Sequence, residues 1–163
     1  MASGKSTIGK ELSKIVGIPF YDLDEIIAEK EKTSINFIFE TKGEIYFRRL
    51  EHQLLQEFHQ HKDSYILALG GGTPCYADNH LLLQDETVCS FYLKGSIATL
   101  EARLQKEKEF RPLVTTIPNE ELPEFIAKHL FDRNYYYQQA KHTVAIDAKS
   151  IQEIVSEIRT QLA

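Results

Sequence analysis

The residues best equipped for chemistry stand at the very start of the chain. Gly4-Lys5-Ser6 carries the last three fixed positions of the phosphate-binding loop G-x-x-x-x-G-K-[ST]. In that loop backbone N–H groups cradle phosphates, the lysine reaches the β- and γ-phosphates and the hydroxyl ligates Mg²⁺. The tripeptide alone says little, because three common residues recur at many solvated helix starts. Its position gives it force: Ile8, Leu12, Ile15 and Val16 follow at the spacing of an amphipathic helix, and Gly17 stands where a left-handed cap would end it. Gly4-Lys5-Ser6 is therefore placed at a helix N-terminus, where unpaired N–H groups and the macrodipole favour an anion. The loop's first glycine falls five residues before Gly4, ahead of Met1, and the strand that feeds such a loop falls further upstream still.

Four further groups have the residue types of a site that binds and transfers a phosphoryl group. Asp22-Leu23-Asp24 follows a short strand; in an extended segment the two carboxylates share a face, one available to a metal shell and one to an acceptor hydroxyl, while capping of the next helix explains one aspartate but not two. Glu44, Arg48 and Glu51 stand at helical i, i+4 and i+3 spacings, available as ion pairs worth only tenths of a kcal/mol each. Gly70-Gly71-Gly72 ends a buried strand and gives up backbone entropy that only a severe turn or a close approach justifies. Arg111-Pro112-Leu113 and, later, Arg133 followed by Tyr135, Tyr136 and Tyr137 supply guanidinium groups. Taken one at a time, each arginine reads as surface.

The elements that must position these groups alternate. Strands are expected at 18–22, 65–69, 88–93 and 143–147. Helices are expected over 4–16, 23–32, 35–42 and onward from Gly43 to about His61, then 96–106, 120–140 and from Ile151 to the end. Residues 107–119 have no period, are charged and contain Pro112 and Pro118, which predicts a mobile surface lid. Strands alternating with helices predict right-handed crossovers and a parallel sheet covered by helices on both faces, an α/β three-layer sandwich. Ligands bind such sheets beyond the carboxyl ends of the strands, which is where Asp22, Asp24 and the glycine triplet fall.

Composition narrows the function classes. The 163 residues, 42% hydrophobic, fit one domain spanning 1–163. A net charge of −5 offers no general footprint for nucleic acid or an anionic membrane, so attraction of anions must be local. No apolar run approaches the ~20 residues of a membrane span, and the start lacks a signal peptide's apolar core. Cys75 and Cys89 form no C-x-x-C pair and read as free thiols of a reducing, cytoplasmic compartment.

Gly4-Lys5-Ser6-Thr7, Asp22-x-Asp24, Gly43-Glu44-x-x-Phe47-Arg48-x-x-Glu51, Gly70–Gly72, Arg111-Pro112-Leu113 and Arg133 with a nearby tyrosine, in that order, resemble the shikimate kinase family over essentially the whole chain. The resemblance implies a phosphate-loop kinase fold with a five-stranded sheet whose central first strand is missing from this chain. Met1 is accordingly expected to be an internal methionine of a run Gly-Tyr-Met-x-Ser-Gly-Lys-Ser, and restoring an upstream strand is expected to raise stability and turnover together. The implied reaction is transfer of the ATP γ-phosphoryl group to the 3-hydroxyl of shikimate, with Mg²⁺, by a monomer. By the same resemblance Gly4, Lys5, Ser6 and Thr7 bind ATP, and Ser6 and Asp22 serve the metal. Asp24 aligns and deprotonates the acceptor hydroxyl. Arg48, Arg133 and Gly72 hold the substrate carboxylate, with Gly71 near the ring hydroxyls and Glu51 orienting Arg48. Arg111 closes over the phosphates, and Lys149, in the loop after Asp147, lies along the adenine. A gluconate or nucleotide kinase, a protein that binds shikimate without ATP turnover, and a structural α/β domain remain the alternatives.

Overall fold

Helix α1, Lys5–Val16, begins directly after Gly4, whose backbone is left-handed (φ 84°, ψ 21°), and ends at Gly17. No side chain caps its N-terminus and no acidic residue occupies its first turn, so its leading N–H groups stay available. A computed structural model describes residues 1–108 and 112–162. Strand β1, Phe20–Asp22, runs into α2, Leu23–Glu31. Helix α3, Ile35–His59, joins the two expected helical pieces across Gly43, which leaves the helical region (φ 83°, ψ 168°). Then come β2, Ile66–Ala68, two short 3₁₀ turns at Thr73–Cys75 and Asn79–Gln84, β3, Phe91–Lys94, and α4, Ile97–Glu107. A single helical turn α5, Pro112–Thr115, a 3₁₀ turn Asn119–Glu121, α6, Leu122–Tyr137, β4, His142–Ala145, and α7, Ile151–Leu162, complete the chain.

The strands pair in parallel as β1 with β2 (Phe20 opposite Ile66, Asp22 opposite Ala68) and as β3 with β4 (Phe91 opposite His142, Lys94 opposite Ala145). Each pair is joined through helices, as parallel pairing requires. Strands β2 and β3 do not bond to each other, and both line an apolar cavity of about 700 Å³ together with Ile8 and Leu12 of α1. One core gathers Ile8, Leu12, Leu100, Leu104, Ile126 and Ile154 from α1, α4, α6 and α7. A second gathers Leu23, Ile27, Ile38, Phe47, Leu50 and Leu54 from α2 and α3. Among the described residues no helix is long and apolar enough to cross a membrane.

Several boundaries differ from the periodicity. The strand expected at 88–93 begins at Phe91: Val88 N–H closes a turn onto Asp85 O, while Ser90, just ahead of the strand, still accepts the His142 N–H through its carbonyl. Of the stretch 107–119, expected as a mobile surface lid, residues 109–111 lie outside the described residues and the remainder includes α5 and the turn Asn119–Glu121; Pro112 opens α5, where its missing N–H costs nothing.

Candidate active site

The phosphate-loop end of the site is built by α1 and the end of β1. Lys5 opens α1, and Ser6 Oγ donates to Asp22 Oδ2 at 2.5 Å. Thr7 is exposed in the same first turn. Asp22 is not one of two carboxylates side by side on a strand: it closes β1 and caps α2, its Oδ1 accepting the Asp24 N–H at 3.0 Å, which places Asp24 in the first helical turn. The capping bond wins because the leading N–H groups of α2 have no other partner. A buried carboxylate and a hydroxyl in contact are hard oxygen donors of the kind Mg²⁺ takes in ones and twos alongside substrate phosphates, so Ser6 and Asp22 fit that ion.

Asp24 is half-buried, and burial pushes its carboxyl above the usual range. The Asp22 carboxylate adds to the rise, while Lys5 opposes it, Glu51 adds a smaller push and Arg48 a smaller pull. Asp24 thus lies within electrostatic reach of both Lys5 and Arg48, and its raised affinity for a proton suits a general base.

The glycine triplet explains how the remaining groups converge. A Cβ on Gly70 would stand 3.0 Å from Asp24 Oδ1, one on Gly71 3.0 Å from Arg133 Nη1, and one on Gly72 2.3 Å from Arg48 Nη2. Each glycine therefore lets one functional side chain lie against the backbone. Arg48 Nη1 bonds Glu51 Oε1 at 2.9 Å and its Nε lies 3.5 Å from Glu44 Oε1. Tyr137 Oη donates to Gly71 O at 2.7 Å and also contacts Arg133; burial raises the affinity of its phenol for the proton. Arg48, Gly72 and Arg133 line one cavity of about 290 Å³. Among the described residues no carboxylate stands within ion-pair distance of Arg133 or Lys5, although Lys5 and the Asp24 carboxylate attract each other over a longer range. Two guanidinium groups on one small cavity, whose wall also carries Glu44, have the fork geometry that pairs with a carboxylate.

Arg111 lies outside the described residues. Lys149 is ion-paired with Glu157 at 2.5 Å, and the neighbouring Asp147 accepts from Ser96 N–H and Thr99 Oγ, which fastens that loop to the start of α4. Periodicity had no means to find Arg103 of α4, whose Nη1 donates to Ser3 O at 3.1 Å and to Ala2 O at 3.3 Å, tying α4 to the loop ahead of α1. In the sequence it reads as any surface arginine. Thr73, whose hydroxyl bonds Glu51 Oε2 at 2.7 Å, had no signal beyond its place after the triplet.

The sequence profile of the family described as shikimate kinase matches residues 1–163. The chain is 56% identical over 158 residues to a shikimate kinase of Flavobacterium psychrophilum, covering 97% of this chain and 92% of that protein. It is 54% identical over 163 residues to a shikimate kinase of Flavobacterium johnsoniae, covering 100% of this chain and 95% of that protein. Its backbone is similar to the crystal structure of a shikimate kinase from Bacteroides thetaiotaomicron, with a TM-score of 0.89 and 30% identity over 99% of this chain and 93% of that one. A shikimate kinase from Acinetobacter baumannii in complex with shikimate superposes with a TM-score of 0.86 at 28% identity, covering 99% of this chain and 88% of that one.

Proposed function

The chain belongs to the shikimate kinase family, and from that premise we propose that it transfers the γ-phosphoryl group of ATP to the 3-hydroxyl of shikimate, with the work divided among its own residues as follows. Lys5 and the free N–H groups of α1 hold the β- and γ-phosphates. Mg²⁺, which Ser6 would hold directly and Asp22 through the outer shell, supplies further neutralisation of phosphate charge when bound. Arg48 and Arg133 grip the substrate carboxylate with the Gly72 N–H beside them, while Gly71 lies near the ring hydroxyls. Asp24, between that grip and Lys5, takes the proton of the 3-hydroxyl as its oxygen attacks the γ-phosphorus and ADP leaves. Arg111, implied by the family pattern, closes over the phosphates. Phosphoryl transfer asks little more of the protein than such alignment and charge neutralisation.

The observation that carries this division is the apposition of Asp24, Arg133 and Arg48 to Gly70, Gly71 and Gly72 in turn. A panel of acceptors in a coupled ATP-consumption assay tests it. Shikimate should be phosphorylated, with gluconate and nucleoside monophosphates at background; turnover of gluconate or a nucleotide in preference to shikimate would overturn the assignment.

A further inference from the structure

Glu51 is a fully buried carboxylate at 0% exposure, and a buried charge is stable only when its oxygens are paired and hydrogen-bonded. Oε1 accepts from Arg48 Nη1 at 2.9 Å, and Oε2 accepts from Thr73 Oγ1 at 2.7 Å. Thr73, likewise at 0% exposure, opens the 3₁₀ turn that follows Gly72. Its carbonyl accepts from Asn79 Nδ2 at 2.9 Å, which turns Asn79 Oδ1 toward His52 Nδ1 at 2.6 Å. Because that amide nitrogen already donates to a carbonyl, the oxygen facing His52 is an acceptor and His52 Nδ1 carries the proton. His52 follows Glu51 on α3, so the bonds close a ring: helix α3 holds the turn 73–79 through Glu51 and His52, and the turn holds α3 through Thr73 and Asn79. Gly72, at the mouth of that turn, has no room for a Cβ beside Arg48.

We propose that Thr73 is a positioning residue for the substrate carboxylate: its hydroxyl holds Glu51 in the one orientation that turns the remaining N–H groups of Arg48 toward the cavity, and Asn79 and His52 hold Thr73 in turn. This inference rests on Arg48 being the carboxylate clamp. A hydroxyl bonded to a charged group matters more than one bonded to a neutral group, and its loss leaves a buried carboxylate oxygen unsatisfied, free to be met only by a shift of Glu51 and with it Arg48.

The test uses two acceptors, shikimate and its methyl ester, which keeps the ring hydroxyls and removes the charge that Arg48 reads. Thr73→Val preserves shape and deletes the donor. It should raise KM for shikimate about tenfold while leaving KM for ATP and for the ester within about twofold, and Thr73→Ser should return KM for shikimate to within about threefold of the wild type. An unchanged KM for shikimate, or an equal rise for both acceptors, would overturn the proposal, since a merely structural role moves both alike. Should Thr73→Val fail to fold, Thr73→Cys, with similar volume and only a weak donor, carries the same expectations. The two assignments fail separately. A wild-type enzyme that uses shikimate and the ester equally well removes the clamp, whereas discrimination that is the same in wild type and Thr73→Val removes only the role of Thr73.

Discussion

Replacing Gly72 with alanine adds one methyl group at the tightest point of the site. A Cβ there would stand 2.3 Å from Arg48 Nη2 and 2.7 Å from both Cζ and Nη1. Non-bonded heavy atoms of this kind rest at roughly 3.5 Å, so the guanidinium must retreat by about 1 Å. The backbone gives no independent penalty, because Gly72 has φ −90° and ψ −13°, a conformation open to any residue. The retreat meets resistance on the far side: Arg48 is bonded to Glu51, whose side chain is 1% exposed and itself bonded to Thr73. A positioning group displaced by about 1 Å costs on the order of 100-fold in rate, so kcat/KM for shikimate should fall by about that factor, chiefly through KM. The KM for ATP should stay within about twofold, since α1 is untouched. Gly17→Ala is the matched control. Nothing lies within 4 Å of a Cβ at Gly17, but its φ of +71° is left-handed, so about 1–2 kcal/mol of stability should be lost with no change in KM. Steady-state kinetics with thermal melts of both variants decide the matter, and a Gly72→Ala enzyme with wild-type KM for shikimate would refute the packing argument.

Asp24→Asn should retain shikimate binding, read by calorimetry, and lower turnover by ~10²–10⁴, the usual worth of a positioned proton acceptor; an unchanged kcat would remove Asp24 from that role. Because burial and the Asp22 carboxylate raise its folded-state affinity for a proton, the acid limb of the kcat profile should begin at higher pH than for an ordinary aspartate. The same shift has a stability sign. Asp24 contributes favourably below its unfolded pKa and loses that contribution as pH rises through the raised folded value, so Asp24→Asn should melt higher than wild type at pH 7 and the gap should close toward acid pH. A gap that widened on acidification would reverse the assigned direction. Arg48→Lys should weaken shikimate by about 1–3 kcal/mol, because an ammonium cannot reproduce the planar fork, and should spare ATP; a loss of nucleotide affinity with shikimate spared would show that Arg48 serves the other ligand.

The α1 phosphate loop was legible because its signal is local. Gly4-Lys5-Ser6, the stripe from Ile8 to Val16 and Gly17 all lie within a few helical turns, and α1 forms over Lys5–Val16 as the spacing predicts. Likewise Gly43 divides α3, and Asp24, Arg48 and Arg133 were recognisable as a set by type and order. The strand ends and the 3₁₀ turns after Gly72 were not, since local bonds such as Val88 N–H to Asp85 O and Asn79 to Thr73 override period there. Partnership across the chain was decided by tertiary structure alone. Spacing along a helix offered Arg48 two carboxylates of equal standing, but packing made Glu51 fully buried and left Glu44 at the exposed rim, because only Glu51 faces Thr73. The three glycines announced a close approach without saying of what; the answer came from Asp24, Arg133 and Arg48, on three different helices. Periodicity encodes which face of an element turns inward. The residue it meets there depends on where distant elements are brought by the burial of two separate cores, and no local spacing carries that information.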